Sequence, residues 1–104
     1  MELNEIGREL SQVERAIERA AQAIKEDDEA PQLLRDCVKE LDKRSRTARQ
    51  SRDAGQLMQV IDDMKAVSDR ARTACEQVYK INAETRSAVR EANHQLSGLK
   101  QLLH

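Results

Sequence analysis

Aromatic residues are all but missing from this chain. Tyr79 stands alone, with no Trp and no Phe. That takes away the bulky inward residues around which sandwiches and barrels build their cores, and it leaves no row of rings for bases to stack on. Glycine numbers three and proline one, and no glycines cluster. A phosphate-cradling loop of the nucleotide-binding type is therefore excluded. The two cysteines, Cys37 and Cys75, form no Cys-x-x-Cys pair. Both fall on or beside apolar helix faces, so they read as reduced core thiols of a cytoplasmic protein rather than as a disulfide. No apolar run approaches the roughly 20 residues that a membrane-spanning helix needs. The opening Met-Glu-Leu-Asn lacks a basic stretch followed by an apolar one, and reads as the start of an amphipathic helix rather than as a secretory signal.

What the chain does have is charge and helical periodicity. Charged residues make up 36% and apolar residues 38%, with Ala, Glu, Arg, Gln and Leu abundant. This is the composition of a helical bundle or coiled coil. At 104 residues the expectation is a single domain, 1–104, large enough for one core. The formal net charge is −1, but the charge is unevenly spread: residues 1–30 hold nine acids against four bases, and residues 31–52 three acids against seven bases.

The most informative stretch runs from Leu57 to Leu103. Steps of four and three pick out Leu57, Ile61, Met64, Ser68, Ala71, Cys75, Val78, Asn82, Thr85, Val89, Ala92, Leu96, Leu99 and Leu103. Residues three and four apart share one helix face, so this is a mostly apolar seam able to dock on other helices. Residues 2–25 repeat the pattern with Leu3, Ile6, Leu10, Val13, Ile17, Ala20 and Ile24, a narrow apolar stripe of two positions in seven. Glu26 to Glu29 would oppose the dipole at the end of that helix, so a solvated turn is expected there. Pro31 is then expected at the first position of a second helix over 31–50. That helix buries Leu34, Cys37, Val38 and Leu41 and weakens to Ser45 and Ala48, with Glu40/Arg44 and Asp42/Arg46 as i,i+4 pairs. Asp53 and Gln56 have the spacing of a capping box opening a third helix.

At Asn82 the pattern forks. Asn82 either caps a fourth helix, with Glu84 in its first turn, or sits as a polar residue in one long helix. The cap is preferred. It yields an all-α, four-helix, up-down-up-down bundle, because the connections are short. The alternative is three helices with one long C-terminal helix in a coiled-coil-like dimer. The heptad is the only fixed period the sequence displays.

Chemical signals are sparse. Glu91 and His94 have the E-x-x-H spacing of di-iron bundles, but that chemistry needs a second such pair and two further inward glutamates. Neither is present, so no metal and no cofactor is expected. Asp62, Asp63 and Asp69 lie off the seam and are expected in solvent, not converging on a catalytic cleft. Gly7 reads as a tolerated helix glycine. One charged feature stands out on the second helix, where Arg35, Lys39, Lys43, Arg46 and Arg49 advance by three or four along one face. Such a stripe can grip phosphates, although Asp36, Glu40 and Asp42 dilute it and the acidic first helix can neutralise it. The resulting expectation is a non-enzymatic interaction or scaffolding module, self-associating as a homodimer because its apolar stripe is narrow. Weak nucleic-acid binding through the basic stripe is the alternative.

Overall fold

The structure is a computed structural model that describes the backbone of residues 3–104 and the side chains from residue 5 onward. The expected start at residue 2 and the inward placing of Leu3 lie outside the described residues. Four helices follow in order: α1 (Leu3–Lys25), α2 (Gln32–Gln50), α3 (Ala54–Gln77) and α4 (Ala83–Leu103). Each packs on the two that flank it, α1 on α2 and α4, and α3 on α2 and α4, while the diagonal pairs stay apart. Cross-helix bonds fix the directions. Arg35 reaches the carbonyl of Ile24 and Arg49 the carboxylate of Glu14, so α1 and α2 run antiparallel. Asn93 meets Ser68, and Lys100 meets Asp62, which sets α4 antiparallel to α3. The result is an up-down-up-down four-helix bundle, 41 × 19 × 18 Å.

The seam positions fill the core. Val13, Ile17, Leu34, Leu41, Ile61, Met64, Leu96 and Leu99 are its largest fully buried apolar residues. On α1 the buried stripe is wider than the large residues alone suggest. Ala16 and Ala23 are buried beside Val13, Ile17, Ala20 and Ile24, giving the broader face of a globular bundle helix rather than a coiled-coil seam. Small residues escape notice in a pattern of Leu, Ile and Val, yet they widen the face that α1 buries. The core consequently closes within one chain. At the end of α4 it is Leu103, not Leu102, that is buried.

The helix ends correct the sequence reading in detail. Pro31 stands one residue earlier than expected, at the cap of α2 with φ −68° and ψ 157°, and its carbonyl accepts the Arg35 amide at 3.1 Å. Asp53 caps α3 through the Gln56 amide at 2.8 Å, but the Gln56 side chain reaches back to the Arg52 amide, at 3.3 Å, not to that of Asp53. The chain does break at Asn82, which precedes α4 with an extended ψ of 144°. Its side chain nevertheless makes no capping bond and is exposed, while Ile81 is buried in its place. The heptad phase that ran through Asn82 is therefore a coincidence of spacing, because the turn swings Ile81 inward instead.

Candidate functional site

The basic stripe of α2 is the first candidate, and its five members have different fates. Arg35 is half-buried and spent on structure. Its guanidinium donates to the carbonyls of Ile24 (3.3 Å), Asp27 (2.7 Å) and Ala30 (3.2 Å), closing the carboxyl end of α1. The Ile24 and Asp27 carbonyls also accept the Asp27 and Ala30 amides of the turn, and a cation at the carboxyl end of a helix complements its dipole. Arg46 pairs with Asp42 at 2.9 Å, and Arg49 pairs with Glu14 of α1 while donating to Ser11 at 3.1 Å. Lys39 and Lys43 are exposed and make no ion pair among the described residues. The stripe is thus two lysines backed by an arginine pair whose charge is largely met. The expected Glu40/Arg44 pair forms at 2.7 Å, and Arg44 also reaches Asp63 of α3 at 3.4 Å.

A second polar centre sits at the end of the bundle that carries the α1–α2 and α3–α4 turns. Asp27, expected in a solvated turn, is 1% exposed. Its carboxylate accepts from the Glu29 amide at 3.0 Å, the Asn82 amide at 2.9 Å and the Thr85 hydroxyl at 2.8 Å. Burial by itself would raise the Asp27 carboxyl. The Asn82, Thr85 and Glu29 hydrogen bonds, with the Arg35 guanidinium nearby, outweigh it and hold the group below the ordinary carboxylate range. Nothing in an Asp-Asp-Glu run distinguishes the one acid that turns inward. The nearest available signal was Thr85, a hydroxyl on an apolar seam that needed a partner. Arg86 is a further residue the sequence reading passed over. It donates to the carbonyls of Cys75 (2.9 Å) and Val78 (2.7 Å), closing the end of α3.

Two of the acids off the seam, Asp62 and Asp69, bond across to α4 or the residue that follows it. Asp62 meets Lys100 at 3.6 Å and His104 at 3.2 Å, and its carboxyl is lowered first by the His104 hydrogen bond. Asp69 pairs with Lys65 and accepts from Asn93 at 2.8 Å, while the buried Asn93 amide also donates to Ser68 at 2.8 Å. Glu91 accepts from Gln95 at 2.8 Å, and His94 is exposed. Among the described residues no three His, Cys, Asp or Glu side chains gather in a metal-binding group. Cys37 and Cys75 are free and buried, and burial raises both thiols.

Two large hydrophobic side chains stand exposed near the turn end, Leu33 beside α3 and Tyr79 beside α4. Tyr79, on the α3–α4 turn, is 97% exposed, and Leu33, in the first turn of α2, is 55% exposed. These are the large hydrophobic residues left in solvent among the described residues. No helix among them is long and apolar enough to cross a membrane. Comparison with protein-family models, with curated proteins and with solved structures finds no match to this chain.

Proposed function

We propose that this protein is a non-enzymatic helical interaction module, a small scaffold that presents the turn end of its bundle to a second copy of itself. The observation that carries the reading is the position of its single aromatic. Tyr79 is 97% exposed although the bundle buries most of its large apolar side chains. Tyrosine is enriched among residues that dominate binding energy, since it brings a large rigid surface with a polar tip. Leu33 adds an aliphatic side chain at the same end. A two-fold pairing sets the Tyr79 face against its own image, so a self-complementary patch around Tyr79 suffices. The core is closed without a partner, and the patch is small, so the association is expected to be weak and reversible. This differs from a dimer required to complete a thin core.

Sedimentation across the micromolar range is the test. The parent is expected to shift from one to two chain masses as concentration rises. The double variant Leu33→Gln, Tyr79→Ser is expected to weaken that shift at least about tenfold, a loss of about 1.4 kcal/mol, with an unchanged melting temperature. A single chain mass throughout sinks self-association. Binding of nucleic acid through α2 is the competing reading, supported by the two exposed lysines. Submicromolar affinity at physiological salt, weakened by Lys39→Gln with Lys43→Gln and steeply salt-dependent, would favour it instead.

A further inference from the structure

The two halves of the bundle superpose in sequence number. Helices α1 and α3 begin at Leu3 and Ala54, and α2 and α4 at Gln32 and Ala83, so both pairs of starts are 51 residues apart. Burial repeats at the same interval without a gap. Leu10 falls on Ile61, Val13 on Met64, Ala20 on Ala71, Ala30 on Ile81, Val38 on Val89 and Leu41 on Ala92, all buried. Among the described residues only Asp27, Cys37, Asn93 and Leu103 are buried without a buried equivalent. A heptad does not generate this match, since 51 is not a whole number of heptads or half-heptads.

An independent observation at the same interval is the closure of the odd-numbered helices. Arg35 donates to Ile24 and Asp27, and its equivalent Arg86 donates to Cys75 and Val78, which are the equivalents of those two residues. The amide of each arginine bonds at 3.1 Å to the carbonyl of the cap residue, Pro31 or Asn82, again equivalent. Identical residues recur at Arg19/Arg70, Ala23/Ala74 and Glu40/Glu91.

We infer that the chain is a tandem repeat of one 51-residue helical hairpin, and that Asp27 is the specificity-determining residue that makes each hairpin fit only the unlike one. The equivalents of the three groups in the Asp27 cluster are informative. Asp27 corresponds to Val78, Asn82 to Pro31 and Thr85 to Leu34. Where the cap residue has an N–H and the seam has a hydroxyl, the opposing turn supplies a carboxylate. Where the cap is proline, which has no N–H, and the seam is leucine, the residue equivalent to the carboxylate is valine, half-buried against the core. Two α1–α2 hairpins placed together would set the Asp27 carboxylate against Pro31 and Leu34, neither of which donates. Two α3–α4 hairpins would leave the Asn82 amide and the Thr85 hydroxyl facing Val78. Each arrangement strands buried polar groups, and such penalties select partners.

A thermodynamic cycle in the full chain tests this. Asp27→Val alone, and Asn82→Pro with Thr85→Leu, are each expected to lower the urea midpoint by about 1 M, as lost buried hydrogen bonds should. The triple variant gives the second site the residues of its equivalent, and its midpoint is expected to return most of the way to the parent's. Thr85→Val replaces Thr85→Leu in a parallel cycle, so that overpacking by the larger side chain is recognised. Losses that add in both cycles overturn the inference. So does an Asp27→Val variant as stable as the parent.

Discussion

The Asp27 carboxylate and the Thr85 hydroxyl, 58 residues apart in the chain, meet at 2.8 Å inside the turn end of the bundle. Thr85 is fully buried, and it also reaches the Ala23 carbonyl, at 3.5 Å. The same carboxylate holds the Asn82 amide, so one side chain ties the α1–α2 turn to the start of α4. Asp27→Ala is expected to destabilise the protein by about 2–4 kcal/mol, because it leaves buried donors without a partner. Chemical denaturation measures this directly, and a loss under about 0.5 kcal/mol, the scale of an ordinary surface substitution, would show that water replaces the carboxylate.

Stability should also fall in acid, with a sign set by Asp27. Its folded-state pKa lies below the ordinary carboxylate value, so the unfolded chain takes up the proton first as pH drops. The contribution is complete above the unfolded pKa of about 4 and is lost as pH falls from there through the folded value. Urea midpoints measured from neutral pH down to about pH 3, a range that spans ordinary carboxylate titration, should decline for the parent. They should decline less for Asp27→Asn, and parallel curves would assign the acid sensitivity to other groups.

Ala83→Pro should be tolerated. Ala83 is the first residue of α4, where a missing N–H is harmless, and the extended Asn82 before it already has the backbone that proline asks of its predecessor. The variant is expected to keep its helicity and to melt within a few degrees of the parent. In an uninterrupted helix the same change would cost about 3 kcal/mol, so calorimetry separates the two cases decisively.

Gly7→Ala should stabilise. A Cβ at Gly7 meets nothing within 4 Å, and at Gly98 it meets only Glu9 Oε2 at 3.9 Å. Both residues lie inside helices, where alanine is favoured over glycine by about 1 kcal/mol. Each substitution is expected to raise the melting temperature by a few degrees, and a decrease at Gly7 would reveal a close neighbour that the bundle does not otherwise show.

The thiols should be silent in the folded state. Cys37 and Cys75 are 4% and 2% exposed, and burial raises both, so little thiolate forms at neutral pH. Labelling by a thiol-reactive dye is expected to follow unfolding as urea is added. Rapid labelling in buffer would instead mean that α2 or α3 opens locally.

The sequence made the helices legible because period is a local property. Val13, Ile17, Leu41, Ile61 and Leu96 announce their faces by spacing alone, and their burial follows from it. Short connections then left few ways to arrange four similar lengths. The basic stripe was legible as a pattern but not as a site. Spacing aligned Arg35 with Lys39 and Lys43, and only the neighbouring helix decided that Arg35 bonds to the end of α1 while the lysines face water. The width of the α1 face was underestimated for a related reason, since Ala16 and Ala23 carry little hydrophobic signal yet sit where helices touch.

What the sequence by itself determined is the fold class and the buried face of each helix, which depend on residues within a turn or two of one another. The break at Asn82 was the preferred of two readings, and the structure decided it. Only the tertiary structure decided which polar groups go inside. Asp27 looks no different from Asp28 along the chain, and it is buried because Asn82 and Thr85 arrive from the opposite hairpin with donors to be met. The repeat was hidden for the same reason. Selection on a buried face preserves shape and hydrogen-bond balance more strictly than identity, so Asp27 with Asn82 and Val78 with Pro31 are equivalent solutions that share no letters. A carboxylate is held in the core by donors far away in sequence, and that long-range satisfaction, unlike helical period, cannot be read from a local window.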